Sequence, residues 1–218
     1  MSRFIPAALA AVAPFVVIAG VFAAAVVHHL GEPARAASRF EAALAPQAPA
    51  PAEAVADDDL VSLTRMSCFG ACPAYRVRID GTGRVEFVGQ AGTCEARPRP
   101  VHIDPRSARK LIVALREAGF ATVPRLLGER SEPTRRVVEL RIGGLVHRVV
   151  DNGVPPRDAP LVDAAATAID RLADTTRWLP RTRADGPPWC PLPDGGRAVF
   201  DKGGTRLVPE AGAASAIP

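Results

Sequence analysis

Tyr75-Arg76-Val77-Arg78-Ile79-Asp80-Gly81-Thr82-Gly83-Arg84-Val85-Glu86-Phe87-Val88 decides the fold. Apolar and charged residues alternate on both sides of a glycine-rich turn, as in strands buried on one face. A two-residue turn sets Val77 opposite Glu86 and mixes the faces. A three-residue loop, Gly81-Thr82-Gly83, sets Ile79 opposite Val85 and Val77 opposite Phe87. It also sets Arg78 opposite Glu86 and Asp80 opposite Arg84 on the solvent side. Facing rules therefore select the three-residue loop, with Gly83 in the left-handed position.

Downstream, a second hairpin is predicted over Arg136–Ile142 and Leu145–Asp151, turned by Gly143-Gly144. It pairs Ile142 with Leu145, Leu140 with His147 and Val138 with Val149, and on the other face Glu139 with Arg148. Each hairpin has one apolar and one charged face, as in a sheet covered on one side. Upstream, Leu60–Met66 is a further strand whose inward face its composition leaves open. A helix is expected at about Pro105–Ala118, with Asp104 as N-cap, Pro105 first and Gly119 just past its end. Ala108, Leu111, Ile112 and Leu115 form its apolar stripe. A second helix is expected from Pro160 to about Thr175, capped by Asp158 or a neighbour, with Leu161, Ala165, Ile169 and Leu172 inward. The order β-β-β-α-β-β-α predicts an α+β domain: an antiparallel sheet of about five strands with two helices packed on one face.

The expected organisation has four parts: a transmembrane anchor or signal segment over residues 1–30, an Ala/Pro-rich linker over 31–57, the α+β domain over 58–179, and a Pro/Gly-rich tail over 180–218. No charged residue occurs from Phe4 to Val27. A helix of that length spans about 36 Å, enough for a hydrocarbon core of about 30 Å. Pro6 and Pro14 are tolerated in such a helix. The segment reads as a single-pass inner-membrane anchor, with cleavage and secretion as the alternative. Repeated Ala-Pro after Glu41 suggests a stiff spacer without a core of its own, holding the domain off the bilayer. In the tail, Arg197–Phe200 and Thr205–Val208 suggest a small accessory hairpin around Lys202-Gly203-Gly204.

Ahead of Tyr75 lies Cys68-Phe69-Gly70-Ala71-Cys72-Pro73-Ala74. With the strand before it and Asp80-Gly81 after, it resembles the mark of a bacterial family, domain-of-unknown-function family 6438. That mark is a strand running into Cys-Phe-Gly-x-Cys-Pro-x-Tyr, then a strand and an Asp-Gly turn. The resemblance covers about residues 58–175. It implies structural roles for Phe69, Gly70, Pro73 and Tyr75. The family carries no established activity, so it implies no catalytic residue. Cys94, Cys190 and the tail beyond Trp178 lie outside the pattern.

Cys68 and Cys72 admit three readings: a disulfide that pins the loop, a redox pair, or a metal site. The first suits a small domain outside the cytoplasm. The second needs an accessible thiol of lowered pKa. Three intervening residues and the lack of a βαβ unit upstream argue against a thioredoxin-like machine. The third rests on Cys-x-x-x-Cys-Pro, which resembles the motif of Sco-type copper chaperones. Two thiolates with a histidine or Met66 suit Cu(I). Four cysteines allow three pairings; Cys68–Cys72 with Cys94–Cys190 is the neatest, the second bond tying the tail to the domain. His147 falls on the inward face as a core or rim residue. His102 reads as solvated, and His28 and His29 as interfacial. Trp189 would dock the tail.

The formal charge is +4 and the pI about 9.2. Lys110 and Lys202 are the only lysines, and no basic run reaches five residues. The basic balance thus reads as a solvated surface rather than a nucleic-acid patch. Arg135, Arg136, Arg141 and Arg148 suggest a basic surface on the open sheet face, suited to anionic lipid, glycan or an acidic partner. No nucleotide-loop, nucleophile-elbow or zinc-protease motif is present. The expectation is a membrane-anchored, periplasmic or otherwise extracytoplasmic domain. It binds or supports a protein or envelope partner, needs no cofactor and catalyses nothing. The alternative is thiol-disulfide or Cu(I) handling through Cys68 and Cys72.

Overall fold

A computed structural model describes residues 32–46, 55–68, 72–131, 133–183, 186–191, 197–200 and 207–209. The apolar segment over residues 4–27, Phe69 and Gly70 lie outside the described residues, as does the turn at Lys202-Gly203-Gly204. Among those described, no helix is long and apolar enough to cross a membrane.

The main sheet has seven strands. They are β1 (Leu60–Arg65), β2 (Ala74–Asp80), β3 (Arg84–Ala91), β4 (Val101–His102), β5 (Leu126–Leu127), β6 (Arg136–Ile142) and β7 (Leu145–Asp151). Their spatial order is β4-β3-β2-β1-β6-β7-β5. The sheet is therefore larger than the five antiparallel strands expected. It is also mixed, because β5 runs parallel to β7. Both additions are two-residue edge strands, too short to show alternation.

Both predicted registers are present: Ile79 faces Val85 and Val77 faces Phe87, while Leu140 faces His147 and Val138 faces Val149. Gly83 has φ 82°, and a Cβ there would fall 2.4 Å from the Ile103 carbonyl oxygen. The central position of β1 explains why its sequence shows no clean face: Leu60, Val61 and Leu63 are all buried. Inward residues run in rows across five strands. One is Phe87-Val77-Leu63-Val138-Val149; the next is Val85-Ile79-Val61-Leu140-His147.

Three α-helices occur among the described residues. α1, residues 32–44, lies at the start of the stretch expected as an Ala/Pro-rich linker. Ala36, Ala37 and Phe40 are buried, with Phe40 only 1% exposed, and Ala43 and Leu44 pack beside them. This is a helical stripe in a stretch whose prolines, apart from Pro33, begin only at Pro46. α2 (Pro105–Glu117) has Asp104 as N-cap, accepting from Arg106 N–H at 3.2 Å. Gly119 follows its C-cap at φ 81°. α3 (Pro160–Ala173) starts at Ala159 without a side-chain cap, so Asp158 does not serve as one. It ends two residues earlier than expected, where Asp174 turns left-handed at φ 49° and a 3-10 turn, Thr175–Trp178, begins. Asp tolerates that conformation better than most residues.

The tail is more ordered than one hairpin. β8 (Arg181–Arg183), β9 (Gly186–Pro191), β10 (Arg197–Phe200) and β11 (Leu207–Pro209) form a second sheet in the order β11-β10-β9-β8. β10 pairs with β11 as Val199 to Val208. A disulfide joins Cys190 of β9, which is buried, to Cys94 after β3. Its loop, with a separation of 96 residues, corresponds in the chain-entropy picture to about 4–5 kcal/mol.

Candidate functional site

Apart from His147, the inward rows are apolar until the ends of the strands nearest the Cys68–Cys72 loop. There the register places Tyr75 beside Arg65, Arg65 beside Arg136, and Arg136 beside Asp151. A polar row thus crosses four strands at the margin of the core. α3 lies over it and supplies Asp163 and Asp170. These are seven residues apart, about two helical turns, and so share one face.

Asp170 is the hub of one half. Arg65 Nε and Nη2 donate to its Oδ2 at 2.8 and 2.6 Å. Tyr75 Oη donates to Oδ1 at 2.7 Å, and Thr175 Oγ1 to the same atom at 3.1 Å. Tyr75 is 2% exposed. Burial, reinforced by its bond to Asp170, pushes its pKa up to about 12. Burial alone would lower Arg65, but the Asp170 charge and hydrogen bonds outweigh it and the guanidinium is raised. Arg136 is the hub of the other half. Its Nε donates to Asp151 Oδ2 at 2.7 Å and its Nη1 to Asp163 Oδ1 at 2.5 Å. Asp151 Oδ1 accepts from the Gly153 and Val154 N–H groups, both at 2.9 Å.

Arg136 is therefore not part of an open basic surface, as its sequence neighbours suggested; it is buried and doubly paired. Arg135, Arg141 and Arg148 are exposed. The signal for Arg136 was present in the hairpin register, which sets it two residues from Val138 on the inward face and opposite Asp151. Asp170 carried no such signal, since its strand partners Arg65 and Tyr75 are about 100 residues distant in sequence.

A cleft of about 1000 Å³ opens beside this row. Met66, Cys68, Cys72, Pro73, Pro133 and Leu179 give it an apolar wall; Arg65, Ser67, Tyr75, Thr134, Arg135, Asp170, Thr175 and Thr176 supply its polar groups. Cys68 and Cys72 are disulfide-bonded and exposed. Bridging the loop between β1 and β2, they hold together the strand ends that carry Arg65 and Tyr75. At the rim, a hydrogen bond from Thr176, with Arg177 beside it, holds Asp174 below the usual carboxylate range.

Other candidates lie apart. His147 is buried, with Nε2 2.9 Å from the Val123 carbonyl oxygen and its ring edge-on to Phe120. His102 is exposed on β4. Trp189 is half-buried on β9 with the Arg181 guanidinium over its ring at 5.3 Å. Among the described residues, no group of three or more His, Cys, Asp or Glu is placed to hold a metal ion. Chemically, the arrangement is a braced cradle. The Asp170 carboxylate accepts four hydrogen bonds, which engage both of its oxygens. Tyr75 stays protonated at neutral pH and acts as a donor, not a nucleophile.

The profile described as Domain of unknown function (DUF6438) matches residues 59–173. The chain belongs to this family. The matched span contains the main sheet, α2, α3, the polar row and the Cys68–Cys72 clip; α1, Cys190 and the second sheet lie outside it. No curated protein and no solved structure matches the chain.

Proposed function

We propose that this member of the family is a single-span, membrane-anchored domain on the extracytoplasmic side that binds a protein or envelope partner through the cleft and catalyses nothing. The observation that carries this reading is the saturated Asp170 beside a cleft with an apolar wall. Such a site offers shape and fixed polar groups for recognition. Its one carboxylate is already engaged by Arg65, Tyr75 and Thr175. The compartment is inferred from the cysteines. All four are in disulfides, and such bonds persist where the environment is oxidising. The apolar segment over residues 4–27 supplies the anchor. Protease added to spheroplasts tests the topology: the reading expects the domain to be digested without lysis. Digestion only after the membrane is dissolved would overturn it.

A second reading has its own support. Cys68 and Cys72 are exposed and share the cleft with Met66. Once reduced by a cellular dithiol, the two thiolates and the thioether would suit Cu(I). A Cu(I) competition titration of the reduced protein separates the readings. Stoichiometric binding that Cys68→Ala abolishes, without a change in stability, would favour metal handling. A purely structural clip predicts lowered stability and no tight site.

A further inference from the structure

We infer that the cleft beside the Cys68–Cys72 clip takes the C-terminus of an apolar peptide from another protein, its carboxylate held by Arg135 and Arg65; this rests on the cleft being a binding site. The argument is an inventory of hydrogens. The Thr134 hydroxyl donates to Asn152 Oδ1 at 2.9 Å, and that of Thr176 to Asp174 Oδ1 at 2.7 Å. Tyr75 and Thr175 direct theirs to Asp170. A hydroxyl that has given its one hydrogen keeps only lone pairs to offer. Thr134 and Thr176 are both accessible at the cleft, so they present acceptors.

The Ser67 hydroxyl, exposed in the same cleft, keeps its hydrogen, and the charged donors that remain are Arg135 and Arg65. Arg135 is exposed, and its guanidinium has no hydrogen-bond or ion-pair partner among the described residues. Its root is fixed: its N–H donates to the Asp151 carbonyl oxygen at 2.8 Å, and its carbonyl accepts from Met66 N–H at 2.9 Å. Arg65 uses Nε and Nη2 on Asp170, which leaves Nη1. With Asp170 as the one carboxylate facing Arg65 and Arg135 in the cleft, the balance there is one positive charge. A fitting ligand brings an anion for the guanidiniums, N–H groups for the threonine oxygens and apolar side chains for Met66, Pro133 and Leu179. A peptide C-terminus has all three. A fatty acid lacks the N–H groups, and a free phosphate lacks the apolar body.

The test uses the full chain in zwitterionic lipid nanodiscs. The probe is a fluorescein-labelled hexapeptide of alanine, valine and leucine with a free C-terminal carboxylate, followed by anisotropy. Saturable binding is expected, weakened about tenfold or more by amidating the probe or by Arg135→Gln. Decanoate should not compete at equal concentration. Equal binding of the amidated probe, or displacement by decanoate, overturns the peptide inference while the cleft remains a binding site. Binding unchanged by both Arg135→Gln and the cleft-filling Thr176→Trp, or no saturable binding, overturns the inference and the site together.

Discussion

The two ends of the sheet's inward face obey one register and carry opposite chemistry. The rows through Val61 and Leu63 are apolar apart from His147, and their packing fixes the fold. The row through Arg65 and Arg136 is charged, and it meets α3 through Asp163 and Asp170. Apolar rows gain stability from burial alone. A buried ion pair gains little over hydrophobic residues of equal volume, yet losing one partner is expensive. Conserving volume in the charged row should therefore cost little stability, whereas breaking it should cost much. That asymmetry is what a row kept for its shape and charge at a binding cleft would have.

Four measurements sharpen or break the contrast. The largest effect is expected for Asp151→Ala, which removes one of the two carboxylates that pair Arg136 and orphans the Gly153 and Val154 N–H groups, at a site where Asp151 is only 2% exposed. Denaturant unfolding should show a loss of about 3–5 kcal/mol; a loss below about 1 kcal/mol would mean the row is solvated. The next lies at alkaline pH. Tyr75 titrates at about 12 in the folded protein, against an ordinary value of 10.0. Because the folded value is raised, its contribution is complete below pH 10 and fades as pH climbs from 10 through 12. It is worth about 2–3 kcal/mol, read as the difference from Tyr75→Phe across that window. Matching alkaline profiles for both proteins would contradict the burial of this hydroxyl.

Third, Cys68→Ala with Cys72→Ala opens a loop of four-residue separation. Chain entropy assigns that loop about 2 kcal/mol, and thermal unfolding should fall accordingly. The smallest effect is expected for Asp163→Asn, which conserves volume, keeps an amide oxygen for Arg136 Nη1 and leaves the Asp151 pair and its bonds from the Gly153 and Val154 N–H groups intact. Stability should change by no more than about 1 kcal/mol, or rise. A collapse of several kcal/mol would show that the charged row carries the fold itself.

How legible this was in the sequence depended on how local the signal is. Both hairpins, α2 and its caps, and the inward rows were readable because alternation and turn chemistry act over a few residues. Seven strands were not, since Val101–His102 and Leu126–Leu127 are too short for a pattern. α1 was hidden by the Ala-Pro repeat that follows it, although Ala36, Phe40, Ala43 and Leu44 keep helical spacing. The cysteines and Tyr75 stood out by type. Arg136 was assignable from its register but was grouped with exposed arginines. Asp170 had no local mark, because β1, β2 and α3 meet there only after the chain has folded.

The most direct test concerns the state of the four sulfurs in the cell. Acid-trapped cells expressing the full chain are treated with a maleimide that adds mass, before and after reduction. The account predicts no modified cysteine before reduction and four afterwards. Modification of Cys68 and Cys72 before reduction would contradict it, because an open pair cannot serve as the clip that holds Arg65 and Tyr75 in place.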